Sequence, residues 1–129
     1  MANTNRYKQE IVFLCEKGHR TAEQVFKELK KTYWLLGIGS VYRNLTELVD
    51  EDILMKTSGI AEKVLYEKKK APHGHMFCHA SGTILDIDIS SLDTSKILLP
   101  AGFLLENFQI IAHGNFQNEE SCKLALKVC

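Results

Sequence analysis

Several features that would place a chain in a special structural class are scarce in this sequence of 129 residues. It has four cysteines, two prolines and one tryptophan, and its 16 basic and 16 acidic residues give no net charge. So few cysteines exclude a disulfide-stabilised scaffold and favour a reducing compartment. No apolar run approaches the roughly 20 residues of a membrane-spanning helix, and the polar start lacks the apolar core of a secretory signal. We therefore expect a cytoplasmic globular protein.

The zero net charge conceals an unequal distribution along the chain. Residues 1–70 carry 13 Lys and Arg against 10 Asp and Glu, whereas residues 71–129 carry 3 against 6. The change of sign favours two small domains over one. A basic excess of this size in the first half is compatible with nucleic-acid binding but does not require it.

Three helices are predicted in the first half, where apolar residues recur at helical spacing. The first covers residues 4–17 and the second begins at a capping box formed by Thr21 and Gln24. The third follows a glycine-containing turn, with Ser40 as its expected cap and Val41, Leu45 and Leu48 as its inward face.

A β-hairpin is predicted after the third helix, because β-prone runs at 53–57 and 63–67 flank a tip at Ser58–Gly59. Three helices followed by a hairpin is the order of a winged-helix domain. The sequence KKKAP that follows predicts a linker, since like charges repel and proline disfavours a preceding helix. We place the first domain at 1–68, a hinge at 69–73 and the second domain at 74–129.

In the second half the apolar period changes from about 3.6 to about 2, which predicts a small sheet. The expected elements are strands at 75–78 and 83–89 with a turn at Gly82, a short helix at 90–96, one or two strands within 103–112 and a terminal helix from 119. The fold class is therefore α/β, with a helical first domain.

The tripeptide His73–Gly74–His75 is the strongest chemical signal, because residues two apart on a strand face the same side. Asp86 lies on the next predicted strand and Glu67 ends the hairpin before the linker. Imidazole and carboxylate ligands together suit iron(II), manganese(II) or zinc better than a metal selected by thiolates. Taken alone, two histidines at this spacing also occur on ordinary surfaces.

Three blocks of sequence resemble the ferric uptake regulator (Fur) family of metal-dependent repressors: HRTAEQVF from His19, IGSVYRNL from Ile38, and HGHMFC from His73, the last followed by Gly82 and Asp86. The resemblance implies an N-terminal winged-helix DNA-binding domain, a hinge and a small C-terminal α/β dimerisation domain. It also implies one divalent ion per subunit, Fe(II) or Mn(II), with Zn(II) able to bind in vitro. By residue-to-residue matching, the implied metal ligands are His19, Glu67, His73, His75 and Asp86.

Those ligands come from both predicted domains, so one ion joins them only in a particular arrangement, and metal selects that closed state. The resemblance further implies a homodimer that binds double-stranded DNA. Two recognition helices would then enter successive major grooves about 34 Å apart, which predicts a palindromic operator. The implied DNA-binding residues on the third helix are Ser40, Tyr42, Arg43 and Asn44, of which Asn44 is the weaker candidate.

The sequence departs from the family at its structural zinc site, which uses two CxxC pairs. The first pair reads Cys78-His79-Ala80-Ser81 here, and the second falls on Phe116 and Glu119, so a single thiol is retained. The usual zinc site is therefore not expected, and a displaced site would need Cys78, His79, Cys122 and Cys129. An auxiliary metal site keeps a carboxylate at Asp93 but not its other ligands.

The effector and two competing functions stay open at this point. Asp86 resembles the peroxide-sensing branch of the family, in which bound iron(II) oxidises its own histidine ligands at positions matching His19 and His73. One alternative is a metal-independent winged-helix DNA binder with a vestigial site. The other is a non-haem iron enzyme that uses His73, His75 and Asp86 as a two-histidine, one-carboxylate site. The favoured expectation is a regulator that senses iron, manganese or peroxide, and not an enzyme.

Overall fold

The computed structural model describes residues 2–128 of the chain, with side chains described for residues 6–126. Contacts divide it into two compact units, Met1–Lys70 and Ala71–Cys129. The division falls inside the range 69–73. Within residues 2–128, the helices are too short or too polar to span a lipid bilayer.

The first unit consists of three helices followed by an antiparallel hairpin, as predicted for a winged-helix domain. Its elements are α1 (Ala2–Glu16), α2 (Ala22–Lys30), α3 (Ile38–Asp50), β1 (Leu54–Ile60) and β2 (Lys63–Lys68). The predicted inward face of α3 is confirmed, because Val41, Leu45 and Leu48 are each at most 1% exposed. They pack against apolar residues of the other two helices and the hairpin, including Ile11, Val25, Leu29 and Leu54.

The start of α2 follows the predicted capping box. The Thr21 hydroxyl accepts a hydrogen bond from the backbone N–H of Gln24, and the Gln24 side chain accepts one from the backbone N–H of Thr21. The expected cap of α3 is wrong: the helix begins three residues earlier, with Gly37 as its N-cap and no capping side chain. Ser40 lies within the first turn, where its backbone N–H bonds to the Gly37 carbonyl.

The tip of the hairpin also differs from the prediction, because it lies at Ala61–Glu62. Both residues have positive φ angles, 53° and 59°, which is the conformation of a two-residue turn that suits the twist of a hairpin. Gly59, with φ of 89°, instead lies at a register shift between Ser58 and Ile60. The glycine therefore allows a β-bulge within β1, and the strand continues past it.

The second unit contains a three-stranded sheet in which β3 (Gly74–Cys78) is central. It pairs antiparallel with β4 (Ile84–Ile87) and parallel with β5 (Ile111–Gly114). Gly82 provides the predicted turn, with φ of 73°. A final helix, α4 (Glu119–Val128), follows the sheet as predicted.

Two expectations for this unit are wrong in extent. The helix expected at 90–96 is a single 3₁₀ turn, Thr94–Lys96, capped by the Asp93 carboxylate. The stretch 103–112 supplies only the start of β5, and residues 97–110 form no helix or strand. Residues 90–109 are all exposed, including Leu98 at 95% and Leu104 at 89%.

Candidate metal centre and DNA-binding helix

The register of β3 and β4 gathers three ligand side chains in the second unit. His75 lies directly opposite Asp86, and its Nε2 is 3.7 Å from Asp86 Oδ1. His73 Nε2 lies 3.4 Å from the same oxygen and 3.2 Å from His75 Nε2. Gly74 separates the two histidines, and a Cβ at this position would approach an Ile87 side-chain carbon to 2.8 Å.

The environment of these three residues suits metal binding. His75 is 3% exposed, and the Asp86 side chain is 31% exposed. His73 Nδ1 lies 3.0 Å from the Ala71 carbonyl, a contact that directs Nε2 toward the other two ligands. Two imidazole nitrogens and one carboxylate oxygen are the ligand set of non-haem iron sites and also suit manganese(II) or zinc. The residues present therefore fit a divalent ion.

A second pair of ligands lies in the first unit. His19 Nε2 is 2.9 Å from Glu67 Oε2, although the two residues lie far apart in the sequence. The pair is positioned by the neighbouring residues Arg20 and Tyr66, whose backbone groups exchange two hydrogen bonds of 2.9 and 2.8 Å. Glu67 is buried, at 4% exposed, and Lys70 Nζ lies 3.6 Å from its carboxylate. A nitrogen and an oxygen ligand thus meet between the start of α2 and the end of β2.

All five predicted metal ligands are accordingly placed beside at least one other ligand. Their action as one site stays a prediction. A displaced zinc site is not formed by the described side chains, since no group of three or more potential ligands there includes a cysteine. Cys129 lies outside the described residues. Asp93 is engaged as a helix cap.

The third helix presents only some of its predicted DNA-binding residues. Tyr42 is 44% exposed and Arg43 is exposed, whereas Ser40 is half-buried. Asn44 is 4% exposed and its amide nitrogen donates to the Ser40 carbonyl at 2.8 Å. We therefore leave Asn44 out of the DNA contacts proposed below. The turn before this helix exposes Trp34 at 73%.

Two sets of side-chain contacts in the DNA-binding unit are not predicted from the sequence. The Tyr42 hydroxyl donates to Glu23 Oε1 at 2.9 Å, and this hydrogen bond to a carboxylate raises the pKa of Tyr42. Lys8 lies 2.9 Å from Glu47 and 3.0 Å from Glu51, which raises the pKa of its ammonium and ties α1 to α3. No local sequence pattern indicates either contact, because each joins residues from different helices.

The fold and ligand groups described above are those of a metal-dependent winged-helix regulator, and the sequence comparison agrees. The chain belongs to the ferric uptake regulator family, whose sequence model matches residues 4–119. A ferric uptake regulation protein of Cupriavidus metallidurans is 27% identical over 115 residues, which cover 86% of this chain and 80% of the relative. One from Bordetella parapertussis is 26% identical over 99 residues, covering 74% and 71%.

Solved structures support the same fold. The Campylobacter jejuni peroxide stress regulator superposes with a TM-score of 0.71 at 18% identity, covering 92% of this chain and 91% of that one. The Helicobacter pylori ferric uptake regulator gives a TM-score of 0.65 at 18% identity, covering 84% and 77%. The protein is thus a metal-dependent transcription regulator with an N-terminal DNA-binding domain and a C-terminal α/β domain, and not an enzyme.

Proposed function

We propose that the protein is a homodimeric repressor that binds a palindromic operator when each subunit holds one Fe(II) or Mn(II) ion. His73, His75 and Asp86 would form the centre of the metal site, and His19 and Glu67 would complete it. Tyr42 and Arg43 would contact DNA, with Ser40 at the start of the same helix. The observation that carries this proposal is the convergence of His73, His75 and Asp86 ligand atoms within 4.8 Å of one another.

The donor chemistry supports a site larger than these three residues. Two histidines and one carboxylate leave open positions around an iron or manganese ion. His19 and Glu67 supply one more nitrogen and one more oxygen, and Glu67 is an almost fully buried carboxylate. A bound divalent ion would supply positive charge to these ligands and, by joining residues of both units, link metal binding to DNA binding.

Metal binding is tested by titrating the chelator-treated protein with Mn(II) and measuring free Mn(II) by electron paramagnetic resonance. We expect one tightly bound ion per chain, and at least tenfold weaker binding in His75→Ala and His19→Ala variants. His113→Ala is the matched control, since His113 is an exposed histidine on the same sheet. Unchanged affinity in His75→Ala would contradict the metal site, and unchanged affinity in His19→Ala alone would restrict it to the second unit.

The exposed face of α3 supports DNA binding by Tyr42 and Arg43. An arginine guanidinium bonds to guanine or to phosphate through two hydrogen bonds, and the Glu23 contact holds the Tyr42 ring in one orientation. Arg43→Ala is expected to weaken operator binding by about 1–3 kcal/mol, or roughly fivefold to 150-fold. Arg6→Ala, which removes an exposed arginine from α1, serves as the charge-matched control. Equal effects of the two substitutions would indicate only general electrostatic attraction.

The exposed apolar residues of the second unit support a homodimer. Large side chains at Leu92, Ile97, Leu98, Leu99, Phe103, Leu104, Leu105 and Phe108 are all at least 40% exposed. A contiguous stretch this apolar is typical of a surface covered by a partner. A second copy of the chain is the partner that a palindromic operator requires. Sedimentation at micromolar concentration is expected to give a dimer.

Metal control is tested by selecting operators from a random duplex pool, without oxygen, in parallel with Mn(II) and with chelator. A palindrome enriched only with Mn(II) is expected. Enrichment in both conditions would favour a metal-independent DNA binder. Peroxide sensing is tested by treating the Fe(II)-loaded protein with hydrogen peroxide and measuring the masses of its peptides. Added oxygen on His19 or His73 would indicate a peroxide sensor, and unmodified histidines would indicate a metal sensor.

A further inference from the structure

A small open cavity lies beside β3 and β5 in the second unit, on residues that the proposed metal site does not use. Its volume is roughly 190 Å³ and its lining includes Met76, Phe77, Cys78, Ala112, His113 and Phe116. Cys78 is therefore accessible to a molecule that fits the cavity, although it is only 2% exposed.

The Cys78 sulfur lies among several polar groups. The nearest are the Ser81 hydroxyl, which in this structure donates to Thr83 Oγ1 at 2.8 Å, and the backbone N–H groups of Phe116, Ser81 and Ala80. The Cys78 S–H itself donates to Asn115 Oδ1 at 4.0 Å. Because the hydroxyl and N–H groups favour the thiolate, they lower the pKa of Cys78 to about 7, and partial desolvation only weakly opposes them. By contrast, burial raises the pKa of Cys15, in the core of the first unit, to about 12. The chain thus contains one activated thiol and one inert one.

A second thiol lies at the same serine. Cys122, in the first turn of α4, donates its S–H to Ser81 Oγ at 3.6 Å, and its sulfur is 3.5 Å from Thr83 Oγ1. Cys122 is partly exposed and forms no disulfide. The two cysteines are thus linked through one turn: the backbone N–H of Cys78 donates to the Thr83 carbonyl at 2.9 Å, and the Cys122 sulfur contacts the side chains of Ser81 and Thr83.

We propose that Cys78 and Cys122 form an oxidisable thiol pair whose substrate is a small hydroperoxide that enters the cavity. The Cys78 thiolate attacks one peroxide oxygen, the O–O bond breaks, and the leaving oxygen takes a proton, which gives sulfenic acid and water. The Cys122 sulfur then attacks the Cys78 sulfur, the S–O bond breaks, and the oxygen leaves as a second water. In total two thiols and one hydrogen peroxide yield one disulfide and two waters.

The size of the cavity selects the oxidant. Hydrogen peroxide is small and uncharged, so it reaches a thiol that bulk solvent barely touches. A bulkier oxidant such as glutathione disulfide is expected to reach the sulfur more slowly through a cavity of roughly 190 Å³. The resulting disulfide would join the end of β3 to the first turn of α4, so oxidation would fix that helix on the sheet.

The experiment uses the full-length, reduced protein in excess chelator, so that metal-dependent oxidation of histidines does not contribute. Hydrogen peroxide is added, and free thiols are counted after denaturation by mass tagging, followed by peptide mapping. We expect two of the four thiols to disappear and a Cys78–Cys122 linked peptide to form, with Cys15 still reduced. Four remaining thiols, or a disulfide that links any other pair, would overturn the proposal.

Two variants sharpen the test. Cys122→Ser is expected to stop at a Cys78 sulfenic acid that dimedone traps, whereas Cys129→Ser, the matched control, still forms the disulfide. Ser81→Ala removes a donor from the Cys78 thiolate and is expected to slow disulfide formation about tenfold. A disulfide that forms in Ser81→Ala at the unchanged rate would contradict the role given to the serine. These outcomes are independent of metal or DNA binding.

Discussion

The two units of the chain are built in opposite ways. In the first, three helices and a hairpin enclose an apolar core whose largest members are almost completely buried. In the second, Cys78 is the one apolar side chain among the described residues that is buried, while leucines and phenylalanines between 92 and 108 are exposed. A core of its own stabilises the DNA-binding unit, whereas the other unit buries few of its apolar side chains within the described part of the chain.

The same difference separates the two groups of ligands. His19 and Glu67 are fixed by the packed α2–β2 contact through Arg20 and Tyr66, so their geometry should persist without metal. His73, His75 and Asp86 depend on the register of a short pair of strands, which is less well supported by packing. We therefore expect core substitutions in the first unit to act mainly on stability, and substitutions on the ligand strands and exposed apolar stretch of the second to act mainly on metal binding and assembly.

The largest expected effect is that of Leu45→Ala on the first unit. Leu45 is 0% exposed at the centre of the core, so removing its side chain leaves a cavity and should lower the free energy of unfolding by about 2–5 kcal/mol. Urea denaturation followed by circular dichroism measures the change. A loss below about 0.5 kcal/mol, which is the range of ordinary surface substitutions, would contradict the described core.

The next effect tests the strand register of the second unit. Gly74→Ala places a Cβ 2.8 Å from Ile87 Cγ1, which is too close for an unstrained contact. The substitution should therefore destabilise the sheet by about 1–3 kcal/mol. Because Gly74 lies between the two histidines, Mn(II) affinity should fall as well. Gly114→Ala is the control, since nothing lies within 4 Å of its added Cβ. Similar Mn(II) affinities in both variants would argue against a role for the register.

A smaller effect is expected at the start of α2. Thr21→Ala removes the capping hydroxyl and should cost about 1 kcal/mol, which thermal unfolding detects as a lower Tm. Thr46→Ala, at an exposed position of α3, is the control and should leave the Tm nearly unchanged. Thr21 directly follows His19 and Arg20. A larger decrease in Tm for the metal-loaded protein than for the chelator-treated protein would show that the cap also supports the His19–Glu67 pair.

The smallest effect on the folding of a single chain is expected from Leu104→Asp. This side chain is 89% exposed, so the unfolding free energy of the isolated chain should change by no more than about 0.5 kcal/mol. Dimer formation should weaken strongly, because the substitution places a charge on the surface proposed to be covered by a second copy. Sedimentation of the variant as an unchanged dimer would exclude Leu104 from the interface.

The sequence was informative where local patterns determine structure. The capping box, the inward face of α3 and the strand pair that carries His75 and Asp86 all follow from spacing and residue type. The predicted position of the hairpin tip is wrong because glycine usually marks such a turn, whereas here Ala61 and Glu62 adopt the left-handed conformation. The strand expected within 103–112 begins only at 111, and residues 103–109 are exposed instead of paired with a strand among the described residues.

The candidate site was predictable residue by residue from the family resemblance, but its supporting contacts were not. The Tyr42–Glu23 hydrogen bond and the Lys8 ion pairs join different helices, so they depend on tertiary packing. The burial of Asn44 was missed because exposed and buried positions alternate closely at the start of α3, where Arg43 is exposed and Leu45 is not. The donors around Cys78 come from a turn and a distant loop, and no sequence pattern marks them.

Trp34 can report DNA binding through its intrinsic fluorescence. It is the single tryptophan of the chain, and its indole is largely exposed in the turn that leads into α3. Its fluorescence should accordingly resemble that of an indole in water in the free protein and change in intensity when duplex DNA approaches the helix. Operator titrations, with metal and with chelator, can therefore be followed from unlabelled protein in one cuvette.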